Sequence, residues 1–514
     1  MHRRWFALLL PLALVAAACS SHTSASSTLN AAPPHEAGNS DAGRGDSGEG
    51  GGSEEDATTA ARLDALAQAR AAGTFGHRRQ AATNDAATGW AGEQVVNPNV
   101  DDWEPAVATD PHAPYIYILT TRYGQPAPCQ SHCPSPYITL TVSSNNGATW
   151  GDQVPIWGVK GSKAQYDPTI TIVPDSGVVY AFFLNADRHG GFSTLFIKST
   201  DHGKTWTDPV RPNGQVSWTD KPELTTSPTG QDVYVSWNGP TGGDLWVAVS
   251  HDYGATWRQI RVVTSRRYFY AYDGIVLPDG TVIFSESSFR YTCAGSGSSN
   301  CVSSGQVWHH AVISRDNGDT WENVIVAKVP IGEDCFSLGC GEFYTGQTSV
   351  ATDANGRLVF AYEGPLIDGG PQTSYVTIST NEGRTWGNAT AVSVNGEDST
   401  QPRVVGTGNG DYRLWYMQTS DGDLQKPDGT HFWNVWYRSS TDGGLTWSAP
   451  LKISDAPAGA APYIHTDPSG NTAFDEIYGD YGEIGITSTG KTIGVWGEGI
   501  SYFGPGGCWF NIQT

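Results

Sequence analysis

The chain has 514 residues and a formal net charge of −22, with 30 Lys and Arg against 52 Asp and Glu. That balance excludes a nucleic-acid binder, which presents a basic face to phosphates, and obliges any anionic ligand to find a local cluster of Arg against the global field. Only 2 Met beside 62 Gly and 19 Trp point to an all-β fold of tight turns with a solvated, extracellular surface.

In chain order, His2-Arg3-Arg4 is a short basic start and Trp5 to Ala18 an apolar run too short to span a bilayer comfortably. The run ends in Ala16-Ala17-Ala18-Cys19. This resembles a bacterial lipobox, with Ala16 where Leu is usual. The resemblance implies a signal peptide over residues 1–19, lipid on Cys19 and an exported, membrane-anchored protein. The alternative is an ordinary secreted one. Residues 20–90 are rich in Ser, Gly, Ala and acids and read as a tether. A short helix is expected over 58–72, from Leu63, Leu66 and Ala67 on one side.

Beyond Cys19, seven cysteines fit an oxidising compartment. Close spacing groups Cys129 with Cys133, Cys293 with Cys301 and Cys335 with Cys340, although spacing does not fix connectivity. Cys508 is left over. No metal site with zinc-like spacing is present, and no cofactor is expected. A structural calcium is compatible with an acidic, loop-rich exterior, but no Asp-x-Asp-x-Asp-Gly loop defines a site for it.

From Ala91 to the end, one turn motif recurs six times: Ser-x-Asp-x-Gly-x-Thr-Trp. Its glycines are Gly147, Gly203, Gly254, Gly318, Gly383 and Gly444, spaced 51 to 65 residues apart. Asn145 and Asn381 replace Asp in two copies. Asp or Asn pre-shapes its own turn, Gly supplies a positive φ, and Trp brings apolar surface to bury between strands. Self-similarity at this period means a repeat architecture. Two strands precede each box, as in Glu104–Thr109 with Tyr115–Thr121 and Pro168–Val173 with Val178–Leu184. A seventh unit lacks a box: Gly482–Thr487, Thr492–Gly497 and Cys508–Ile512. Its missing fourth strand is supplied by Gln94-Val95-Val96. A β-propeller of seven four-stranded blades follows, closed by the N-terminal strand, with six blades as the alternative.

The boxes resemble the Asp-box (BNR) repeat of the sialidase superfamily, over about Ala91 to Thr514. Membership implies three Arg that hold a carboxylate, a Tyr–Glu nucleophile pair and an Asp acid/base. The first of those Arg lies in an Arg-Ile-Pro motif, and here the strand reads Asp102-Trp103-Glu104-Pro105-Ala106. A negative charge therefore stands where an anion should be held. Tyr478 with Glu476 or Glu498 is the available imitation of the Tyr–Glu pair.

The boxes occupy one face of the ring. The starts of the innermost strands and the loops between second and third strands occupy the other, where a ligand is expected. Asp167, Asp187, Asp220, Asp273, Glu286 and Tyr478 form the catalytic pool there. Asp102, Trp103, Glu104, Arg122, Tyr166, Arg188, His189, Trp218, Tyr272, Arg290, Tyr344 and Glu363 are the binding candidates. Aromatic rings beside carboxylates suit sugars. The same residues also suit closure of the central funnel. Three functions remain: a glycoside hydrolase, a polysaccharide lyase using Tyr272 or His189 as base, and a non-catalytic propeller that binds glycan or protein. The expected partner is an extracellular glycan or glycoprotein, met by a monomer that touches membrane only through its lipid.

Overall fold

The computed structural model describes residues 87–514, apart from 124–133, 157–161, 188–190, 217–219, 240–242, 266, 294–300, 304–305, 332–345, 368–369, 395–396, 420–432, 455–464, 467–471, 475–480 and 500–505. Cys19, the tether and the expected helix lie outside the described residues, as do Cys129, Cys133, Cys335 and Cys340. Every regular element described is a strand. No described helix is long and apolar enough to cross a membrane.

Seven antiparallel sheets form the ring. Their innermost strands are Asp101–Thr109, Ser162–Ile172, Asp220–Thr226, Tyr268–Val276, Thr348–Thr352, Ser399–Thr407 and Glu483–Ile486. Each lies against the next, and the seventh returns to the first. Six sheets have four strands. Blade 2 has three, and its fourth position is held by the bridge between Phe196 and Val210. Blade 7 is completed by Gln94–Val95, which pairs with Gly506–Ile512. The seven-bladed expectation and its closure by the N-terminal strand are thus met.

Strand periodicity explains the packing. Val179–Asp187, the second strand of blade 2, is apolar almost throughout, because both of its faces are covered. Val179, Ala181 and Phe183 pack towards blade 1, whereas Tyr180 and Phe182 pack towards blade 3. The other blade interfaces have corresponding apolar clusters of their own.

The box turns are hydrogen-bonded as their composition demands. In the second copy Asp201 accepts from Thr205 N at 2.8 Å, Thr205 Oγ1 at 2.6 Å and Ser199 Oγ at 2.8 Å. Those donors, the Thr205 hydroxyl foremost, hold its carboxyl down at about 2. The indole of Trp257 donates to Gly254 O at 2.9 Å, and Trp321 and Trp447 do likewise in their own copies. The residue before the box glycine is left-handed too, as at Tyr253 (φ 60°) beside Gly254 (φ 78°). The boxes also bind the neighbouring turns on their face: Tyr253 N donates to Gln231 O, and Asn146 N donates to Pro114 O.

Candidate functional site

The opposite face is built on a repeated irregularity. Near its start, the innermost strand of blades 1, 2, 4 and 6 slips register, between Trp103 and Ala106, Tyr166 and Thr169, Ala271 and Asp273, and Thr400 and Arg403. Blade 3 does the same opposite Ser236 and Asn238. In four blades the displaced residue is polar, buried and left-handed, and it precedes proline: Glu104-Pro105, Asp167-Pro168, Lys221-Pro222 and Gln401-Pro402, with φ of 47–54°. Proline has no N–H for the ladder, so the strand bulges there and turns a polar side chain inwards.

Those side chains and their neighbours clip the blades together. Glu104 of blade 1 accepts from its own Thr121 Oγ1 at 2.6 Å and from Asp167 N of blade 2 at 2.8 Å. Ser236 of blade 3 donates to Glu286 of blade 4 at 2.6 Å. Asp273 accepts from Ser349 Oγ at 2.8 Å and Val350 N at 3.1 Å, joining blades 4 and 5. Glu363 accepts from Gln401 N at 2.8 Å, joining blades 5 and 6. A carboxylate near the axis thus recurs because bulged backbone N–H groups and inward-facing hydroxyls need acceptors.

The electrostatics follow from depth. Burial pushes the Glu286 and Glu483 carboxyls up to about 8 and raises Glu223, Glu363 and Asp273. Arg403 opposes that rise in Glu223, Asp273, Glu363 and Glu483. Its guanidinium donates to Thr348 O at 2.9 Å, Tyr272 O at 3.3 Å and Gln347 Oε1 at 2.9 Å, and lies 5.9 Å from the Tyr272 ring. Arg122 is committed elsewhere. Its Nε donates to Asp102 Oδ1 at 2.5 Å and its Nη2 to Asp102 Oδ2 at 3.1 Å, in a buried pair that Gln153 closes.

The structure brings Trp103, Tyr166 and Tyr272 into one buried cluster with Tyr123, although they come from blades 1, 2 and 4. Trp103 meets Tyr123 edge-on at 6.1 Å, and Tyr123 meets Tyr166 at 6.3 Å. Asp102, Glu104, Arg122, Asp167, Asp220, Glu286 and Glu363 are buried as well. Asp220 is reached by Asn238 at 3.5 Å. Asp273 is half-buried, and so is Asp187, which accepts from Gly191 N in its own turn. Arg290 is exposed at the end of its strand. Arg188, His189, Trp218, Tyr344 and Tyr478 lie outside the described residues. Cys293 and Cys301 are register partners in a two-stranded hairpin, and Cys508 is a free, buried thiol.

Sequence reasoning passed over Glu223, Glu483 and the central role of Arg403. The available signal was a charged residue inside an otherwise apolar innermost strand, as in Pro222-Glu223-Leu224 and Gly482-Glu483-Ile484. It also passed over Arg267, Trp308 and Lys328 at the outer edge of blade 4, where Arg266-Arg267 directly before a strand was the cue.

No family model matches the chain, and comparison with curated proteins found no match. Among solved structures it is similar to a protein of unknown function from Dyadobacter fermentans, at 14% identity and a TM-score of 0.41, covering 82% of this chain and 98% of that one. It is similar to a polysaccharide lyase, an ulvan lyase, at 12% identity and a TM-score of 0.49, covering 82% and 94%. A Hadza microbial sialidase is similar at 15% identity and a TM-score of 0.41, covering 74% and 73%. Likeness this distant carries no activity across to this chain.

Proposed function

We propose that this protein is a glycan-recognising β-propeller, exported and held at the cell surface by lipid on Cys19, with its ligand face opposite the box turns. One observation carries the reading: the rings of Trp103, Tyr123, Tyr166 and Tyr272 converge from three blades in one cluster. Clustered aromatic rings match the apolar side of a pyranose. Binding is favoured over cleavage because Asp102, Glu104, Arg122, Asp273, Glu286 and Glu363 already hold the blades to one another or hold each other.

A hydrolase is the second reading, favoured by Glu286. Its carboxyl is pushed up to about 8, and its Oε2 has no hydrogen-bond partner among the described residues. A carboxylic acid kept protonated at neutral pH is what a general acid requires.

The test is incubation of the whole protein with sialylated, uronate-containing and neutral glycans. Binding is read on the immobilised panel, and products by mass spectrometry. Binding without products is the expected result. Products that gain one water, and that vanish in Glu286→Gln, establish the hydrolase. Unsaturated products without added water establish a lyase. A panel neither bound nor altered overturns the glycan reading.

A further inference from the structure

We propose that the outer edge of blade 4, on the face opposite the boxes, is a docking site for an acidic glycan, built from Arg267, Arg290 and Lys328 around Trp308. The proposal rests on the glycan reading above and adds the charge of the ligand and the place where it is held.

The blade assembles the group by register. Trp308, near the start of the third strand, stands opposite Ser288 on the second strand and Lys328 on the fourth. Arg267 enters from just before the first strand. Its Nε donates to Ser288 Oγ at 2.8 Å, and its Nη2 to Ser288 O at 2.7 Å and to Gln306 O. These bonds fix the guanidinium 4.3 Å from the centre of the Trp308 indole. The Lys328 ammonium stands 4.1 Å from the same ring. Trp308 therefore acts as the support for two cations, through their attraction to its π-face. Arg290 follows the second strand and is exposed.

What marks the group as a site is the absence of compensation among the described residues. The protein as a whole carries 22 more negative than positive charges, yet among the described residues none of these three cations forms an ion pair and Arg267 Nη1 finds no hydrogen-bond acceptor. Burial, and then the nearby Arg290, hold the Arg267 pKa down to about 10. Like charges kept together at a cost to the fold await a counter-charge. A fixed guanidinium edge beside an exposed ammonium matches the planar carboxylate of a uronate or the oxygens of a sulfate ester, with Arg giving geometry and Lys giving charge.

The experiment uses the whole protein and affinity electrophoresis in gels containing polygalacturonate, chondroitin sulfate or neutral dextran. Wild type should bind the acidic polymers, and added salt should weaken that binding because Arg290 and Lys328 face water. Arg290→Glu and Lys328→Glu change exposed positions and should leave the circular dichroism spectrum unchanged and Tm at or above the wild-type value, because each relieves like-charge repulsion, while weakening acidic-polymer binding by about tenfold or more each. Arg267→Lys keeps the charge but loses the fork, and should weaken binding less. Acidic-polymer affinity that is unaltered in both charge reversals, or preference for dextran, overturns this site and leaves the broader glycan reading standing. Binding of no polymer, in a protein that also fails the glycan panel, overturns both.

Discussion

At the scale of single residues, the protein stores protons on buried carboxyls that are ordinarily ionised. Glu286 and Glu483 titrate at about 8 in the fold, against an ordinary value of 4.5. Between those values the folded chain holds more protons than the unfolded one, so these groups stabilise at low pH and lose that contribution as pH rises through about 8. His309 and His310 act in the opposite sense. Burial holds them down at about 3 against 6.5, so their cost is felt only below 6.5. From pH 6.5 to 8 the carboxyls act alone, and Tm is expected to fall over that interval. The slope is at most about 1.4 kcal/mol per pH unit for each such group. Glu286→Gln should change Tm little at pH 5, flatten the alkaline fall and exceed wild type at pH 8.5. An unchanged slope, followed by calorimetry, would show that Glu286 is ionised in the fold. Arg122 makes the complementary prediction. Arg122→Ala strands the buried Asp102 and should cost about 3–5 kcal/mol in urea unfolding, with glycan affinity unaltered. Loss of affinity at constant stability would return Arg122 to the ligand. Its structural commitment was not legible in the sequence, because Asp102 and Gln153 are 20 and 31 positions away and become neighbours only through strand register.

At the scale of elements, the box and the bulge differ in how openly they are written. The box is local. The hydrogen bonds that shape the turn run within four residues, so Ser, Asp, Gly, Thr and Trp in sequence already state it. Its glycine serves two masters. Gly254 has φ of 78°, and a Cβ there would come 2.2 Å from Phe196 of the preceding blade. Gly280, in the Pro278-Asp279-Gly280 turn, has φ of 90° with nothing within 4 Å. Gly280→Ala should therefore cost only backbone strain, about 1–2 kcal/mol. Gly254→Ala should cost that strain plus repacking of a buried ring, about 1–3 kcal/mol more. Equal losses in denaturant titrations would mean that the box does not seat against the neighbouring blade. The bulge was half-written: a polar residue before proline can be read at 104, 167, 221 and 401, but its partners lie in other strands. Glu104 reaches Asp167 N across 63 positions and Glu363 reaches Gln401 N across 38, separations that no local pattern encodes. For that reason the same carboxylates read equally well as acid/base groups and as clips.

At the scale of the whole molecule, a ring of blades is only as closed as its last seam. Blade 7 takes its outer strand from the other end of the chain. Val96 N donates to Cys508 O at 2.8 Å and Ala91 N to Ile512 O at 2.9 Å, while Gln94 and Val95 pair with Phe510 and Trp509. Without those bonds the Gly506–Ile512 strand becomes an open edge, and two blades lose their registration with each other. Cys508 reports on that seam. It is fully buried, and its thiol is raised far above its usual value by burial first and by the charge of Asp102 second, which places it against blade 1. An undissociated, covered thiol does not react. Proline at both donors, Ala91→Pro with Val96→Pro, removes the two hydrogen bonds and keeps an apolar side chain at the edge of the cluster that Val96 packs against. In the native wild type, alkylation mapped by mass spectrometry should leave Cys508 unmodified over hours. The double variant should label at Cys508 within minutes, and its Tm should fall by several degrees, because opening the seam exposes the interface between the first and last blades. If labelling and Tm both stay at wild-type values, the ring is held by the blade 7 to blade 1 packing of Ile116, Ile118, Val495 and Phe510 alone, and the N-terminal strand is an ornament on a ring already shut.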